Sequence, residues 1–230
     1  MPERIRIFKR EFTEFTDYDN KSVYNLITLY DQNFDKKFQY HSIALLVSGT
    51  YLLWVCWLFF NASAGKTITR RDYANIPHMT IMNTMICGSV SSLVVFYLYP
   101  YFMQERDRIS SYNPVNICNG LLAGLVSITA SCNNVENYSA FVIGVVGGFI
   151  YIFACRALVL LKIDDPCCAS QIHGICGAWG VIALGFFDRH TGLIHTGSFR
   201  QLGVQCIGAL ALALWVVAMT LPYFYLLNKI

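Results

Sequence analysis

Six stretches of the chain contain no Lys, Arg, Asp or Glu: His41 to Ser63, Pro77 to Met103, Asn113 to Val135, Asn137 to Cys155, Pro166 to Phe187 and Gln201 to Asn228. A helix needs about 20 mostly apolar residues to cross the hydrocarbon core of a bilayer. With no water there to satisfy N–H and C=O groups, such a segment must pair its backbone internally. The chain is 55% apolar and 13% charged, far from the roughly 25% charge of an ordinary soluble domain. The reading is an all-α integral membrane protein, with six membrane-crossing helices over residues 41–230 and a polar head over residues 1–40. The partner these stretches imply is the lipid bilayer. A formal net charge of +3 is too small to suggest nucleic acid.

Lys and Arg between the spans set the orientation. On the side of the head lie Arg4, Arg6, Lys9, Arg10, Lys21, Lys36, Lys37, Arg106, Arg108, Arg156, Lys162 and Lys229; on the other side lie Lys66, Arg70, Arg71, Arg189 and Arg200. Positive residues accumulate on the side that is not translocated. Both termini are therefore expected on the cytoplasmic or matrix side.

Within the head, Val23, Leu26, Ile27, Tyr30, Phe34 and Phe38 recur at helical spacing after the candidate caps Asn20 and Ser22, which predicts an amphipathic surface helix. Ile5, Phe8, Phe12 and Phe15 repeat the pattern upstream among basic residues, suited to a headgroup layer or a partner subunit. Glu3, Glu11 and Glu14 are wrong for a transit peptide, so no removable leader is expected.

The nine cysteines lie mostly inside the apolar runs and form no CxxC pair, the pattern of small hydrophobes rather than of disulfide partners or zinc ligands. His190 and His195 lack a third ligand. No metal or other cofactor is expected. Nor is an enzyme, because the chain has no nucleophile beside a base and no phosphate-cradling loop.

Two features inside the spans carry more. Gly120 and Gly124, then Gly144, Gly147 and Gly148, then Gly174, Gly177 and Gly180 stand three or four residues apart, which predicts faces where helices pack closely in lipid. His173 is the ionisable residue of the fifth span, where an imidazole must be hydrogen-bonded or face a cavity. Its role stays open between a transport pathway and a satisfied packing position.

Three segments resemble the ammonium transporter (Amt/Mep/Rh) family: Trp57-Leu-Phe-Phe60-Asn61-Ala62, Asn119-Gly-Leu-Leu-Ala-Gly124 through Thr129 to Cys132, and Asp164-Asp165-Pro166 followed by His173-Gly174-Ile-Cys-Gly177. They occur in the family's order and match its second half, spans six to eleven. The resemblance implies that Phe60 corresponds to one of two stacked phenylalanines at the outer end of a narrow apolar pore, beside Trp57. It also implies that His173 corresponds to one of two pore histidines. Asn61, Gly120, Gly124, Asp164, Asp165, Gly174 and Gly177 would be structural members of the motifs. Ser63 stands where the family usually has glycine, and Cys168 where it usually has an acid.

The partner histidine and phenylalanine belong to the family's first half, which in that fold runs through the membrane in the opposite sense. Two functions follow. In the first, the chain is a family-derived subunit, unable to transport alone, whose exposed half-pore face is covered by other membrane subunits of a larger assembly, an organellar respiratory complex being one host. In the second, it is an ammonium or ammonia transporter, split or divergent, with His173 in contact with the substrate.

Overall fold

The computed structural model describes residues 42–63, 75–103, 113–161, 163–227 and 229; of residues 75 and 76 it describes the backbone only. The amphipathic head lies outside the described residues. Every regular element among them is helical: α1 (Ile43–Ser63), α2 (Asn75–Phe102), α3 (Pro114–Thr129), α4 (Asn137–Leu160), a π-helical turn (Ser170–Ile175) leading directly into α5 (Cys176–Phe187), the single-turn α6 (Leu193–Thr196) and α7 (Arg200–Leu227). Among the described residues, five segments are long and apolar enough to cross a membrane.

The third predicted span is shorter than expected. Its helix starts where Asn113 accepts a hydrogen bond from the N–H of Val115 and Pro114 takes the first turn, where a missing N–H costs nothing. It ends at Thr129 after 16 residues, below the roughly 20 that a spanning helix needs. The remaining residues, Ala130 to Val135, fold into turns. Non-helical backbone at membrane depth is tolerated when it is buried in protein, and one side chain ensures this. Asn83 of α2, fully buried, donates from Nδ2 to the carbonyls of Cys132 (2.9 Å) and Val135 (2.8 Å).

Helix α2 is the centre of the bundle. A β-carbon on Gly124 of α3 would lie 2.5 Å from the Cys87 carbonyl oxygen, and one on Gly144 of α4 would lie 2.6 Å from the same oxygen. Two helices thus close on α2 at one level, each through a glycine. Gly120 meets Val95, Gly148 meets Val94 and Ser91, and Gly180 of α5 meets the Ser127 carbonyl at 2.6 Å. These contacts run antiparallel between α2 and α3 and parallel between α2 and α4, as successive crossings require.

Gly174 and Gly177 depart from the predicted packing role. A β-carbon on Gly174 would meet nothing within 4 Å, and one on Gly177 would make only an ordinary 3.6 Å contact with Val126. Their faces are open because no helix among the described residues covers that side of α5. Helix α7 is open too. Gly185 of α5 abuts Leu202 near its start, yet α7 contains no buried residue.

Candidate functional site

The open face of α5 borders a groove of about 540 Å³, within the range of small-ligand sites. Leu53, Cys56, Trp57 and Phe60 of α1 form one side; Val126 and Thr129 of α3, with Ala130 just after it, form its floor; His173, Gly177 and Val181 form the other side. Residues 173, 177 and 181 are four apart, and residues 53, 56, 57 and 60 three or four apart, so each set is a single helical stripe. The lining elements are the first, third and fifth to cross, hence all run in one direction. At 1.5 Å per residue, the stripe from His173 to Val181 extends about 12 Å along the helix axis. The groove therefore runs with the membrane normal, His173 towards the end where α5 begins and Phe60 towards the end where α1 finishes.

The structure brings together the three residues singled out for the pore, Trp57, Phe60 and His173. His173 lies more than a hundred residues from the other two in sequence, yet all three side chains border one space. Phe60 is 63% exposed on this face and meets the Trp57 ring edge-on, centroids 6.2 Å apart. The Trp57 indole is fixed by a hydrogen bond from Nε1 to Thr129 Oγ1 at 2.9 Å, and the Thr129 hydroxyl in turn donates to the Leu125 carbonyl at 2.7 Å. The lining is predominantly apolar, with Trp57, His173, Thr129 and Cys56 as its side chains able to hydrogen-bond.

His173 owes its place to the π-helical turn. Within Ser170–Ile175 the helix is wound wider, and the Cys176 N–H reaches the carbonyl of Gln171, five residues back. Such turns insert one extra residue and are common at functional positions. The carboxylate of Asp165 holds the start of the turn. Its Oδ1 accepts from the Ala169 N–H (3.0 Å), and its Oδ2 accepts from the Ser170 N–H (2.7 Å) and from the Ser170 hydroxyl. Oriented with its nitrogen towards Asp165, the buried Gln171 amide donates to Oδ2 at 2.8 Å. Partial burial pushes the Asp165 carboxyl up, but the hydrogen bonds from Ser170, Ala169 and Cys167 outweigh it and hold it below its usual value. Cys168, where the family usually has an acid, takes a left-handed φ of +52° at the bend. Asp164 is exposed.

Asn61 is buried and donates from Nδ2 to Thr84 Oγ1 at 3.0 Å, joining α1 to α2; Gly120 and Gly124 admit α2. At the end of the bundle beyond Phe60, the loops are tied by Arg189. Its backbone N–H donates to the Asn134 carbonyl (3.0 Å), and its guanidinium reaches the Asn133 carbonyl (3.2 Å) and Glu136 (3.4 Å). Sequence reasoning missed Asn83 and Arg189 as clasps. Thr129 lay inside a quoted motif without a role; no periodicity marks a hydroxyl that meets an indole 72 residues away.

Comparison with known proteins is consistent with this arrangement. Residues 28–230 match the model of the Ammonium Transporter Family. Ammonium transporter 1 member 2 of rice, Oryza sativa subsp. japonica, is 32% identical over 211 residues, 83% of this chain and 41% of that protein. Ammonium transporter 1 member 3 of Solanum lycopersicum is 31% identical, covering 84% of this chain and 46% of that one. Among solved structures, Mep2 of Saccharomyces cerevisiae superposes with a TM-score of 0.71 at 31% identity, over 83% of this chain and 45% of its own; Mep2 of Candida albicans gives 0.71 at 26%. The chain spans less than half the length of these relatives. It belongs to the ammonium transporter family, as a stretch equivalent to its second half.

Proposed function

We propose that this chain forms one wall of a transmembrane pathway for ammonium or ammonia, with the groove between α1, α3 and α5 as that wall. The observation that carries the reading is the convergence of Trp57, Phe60 and His173 on one membrane-normal groove. At its outer end the Trp57 and Phe60 rings offer π-faces, which attract a small cation as it loses water. Further in, an ion gains little from Leu53, Val126 and Val181, and a charge in such surroundings is costly. The neutral form is therefore favoured in the middle stretch. His173 beyond it supplies an imidazole nitrogen that accepts or donates a hydrogen bond.

The family membership favours this reading over that of a non-conducting accessory subunit, since the named relatives are transporters. One observation speaks for the accessory reading. The open groove and α7, with no buried residue, are large faces that a neighbouring subunit would cover.

A single preparation separates the two. The protein is isolated from its native membrane in mild detergent with whatever accompanies it, reconstituted into liposomes, and given an ammonium gradient while internal pH is followed. The conducting reading expects flux above protein-free liposomes that is abolished by His173→Ala and altered by Phe60→Ala. Lipid-level flux together with stoichiometric, unrelated companion subunits would replace it with the accessory reading.

A further inference from the structure

We propose that Thr129 is a positioning residue of this groove, setting the orientation of the Trp57 indole and through it the ring of Phe60; the selectivity part of this rests on the pathway reading above. Trp57 Nε1 has one partner, Thr129 Oγ1 at 2.9 Å, and that oxygen is itself held by donating to Leu125 at 2.7 Å. The indole is thus fixed by a two-bond relay ending on the backbone of α3, a helix held against α2 by Gly120 and Gly124. Threonine suits the task better than serine, because its β-branch restricts χ1. Phe60 meets the indole edge-on, so a swing of Trp57 leaves the outer ring without its support. The edge of the indole, rather than any charge, then fixes how wide a cation or amine can pass.

The test uses the full chain, prepared as above, in Thr129→Val, Thr129→Ser, Trp57→Phe and the Thr129→Val/Trp57→Phe double variant. Valine keeps the shape and removes the hydroxyl. Ultraviolet resonance Raman of the indole N–H, assigned to Trp57 by difference against Trp57→Phe, should show a hydrogen bond lost in Thr129→Val and retained in Thr129→Ser. Labelling of Cys56, which lines the same groove, by a small methanethiosulfonate should change about two- to tenfold in Thr129→Val, the equivalent of one hydrogen bond, and return within about twofold in Thr129→Ser. The ratio of ammonium to methylammonium flux should shift over the same range in Thr129→Val and Trp57→Phe, with no further shift in the double variant. An unchanged indole signature, unchanged Cys56 labelling, or additive selectivity effects overturn the proposal. Absence of flux in every variant sinks the pathway reading instead, and the indole and Cys56 readouts then decide the positioning role alone.

Discussion

Replacing Gly124 with alanine should loosen the bundle, whereas the same change at Gly177 should not. At Gly124 the new β-carbon would stand 2.5 Å from the Cys87 oxygen, 2.6 Å from Ser91 Cβ and 2.9 Å from Gly88 Cα. None of these is the tip of a flexible side chain. Carbon contacts become comfortable near 3.5 Å, so α2 and α3 must part by about 1 Å. Nor can α2 yield freely, because Gly144 of α4 presses on the same Cys87 carbonyl from another side. A gap of that size forfeits about a quarter to a half of each contact's attraction, and overpacking of this kind costs about 1–3 kcal/mol. For a chain of this length each kcal/mol lowers the melting temperature by about 2–4 °C. At Gly177 the β-carbon would sit 3.6 Å from Val126 Cγ1, an ordinary contact, and alanine's better helix propensity offsets any loss. Thermal unfolding in mild detergent, read by loss of the monodisperse species, compares the two variants. The packing argument would be refuted if Gly124→Ala melted with the wild type while Gly177→Ala fell.

Three further outcomes follow from the geometry. Asn83→Leu keeps the volume but leaves the Cys132 and Val135 carbonyls unpaired, so stability should fall by about 1–3 kcal/mol, seen as a lower melting temperature and faster proteolysis after α3. Asp165→Ala should cost about 0.5–2 kcal/mol through the lost cap. Because the Asp165 carboxyl is held below its usual 3.8, that contribution is fully present above this pH and fades as pH falls through the lower folded value; the wild type and Asp165→Ala melting curves should converge on acidification, and a difference that grew would contradict the cap. Finally, with other cysteines replaced, Cys167 and a cysteine introduced at Thr196 should react with a membrane-impermeant maleimide from opposite sides, Cys167 from the cytoplasmic or matrix side. Labelling of both from one side would remove the crossing by the π-turn and α5.

Apolar run length placed every described helix except the single-turn α6, because in a bilayer the cost of an unpaired backbone leaves little else for such a run to become. The start of α3 is set locally, by the Asn113 cap and Pro114. The end of α3 was not legible. It depends on Asn83, distant in sequence, whose amide substitutes for the missing turns of helix. The glycine pattern showed which residues are small but not what each faces: Gly120, Gly124 and Gly180 admit a neighbouring helix, whereas Gly177 borders the groove and Gly174 faces open space. The groove residues Trp57, Phe60 and His173 were legible through the resemblance to family motifs rather than through periodicity. The Trp57–Thr129 bond and the π-helical turn were not, since a hydrogen bond across 72 residues and a one-residue widening leave no trace in hydropathy.

The clasp around α2 has a consequence for how the protein is made. Thr80, Asn83, Thr84, Cys87 and Ser91 all become fully buried; Thr84 meets Asn61 of α1, but Asn83 and Cys87 find Cys132, Val135, Gly124 and Gly144 in segments synthesised after α2. When α2 leaves the ribosome, two membrane passages must still emerge before that polar strip is covered. Lipid is a poor resting place for it in the interval. Biogenesis should therefore favour holding α2 at the insertion machinery until α3 and α4 arrive, so that helices α2 to α4 enter the bilayer as one folding unit.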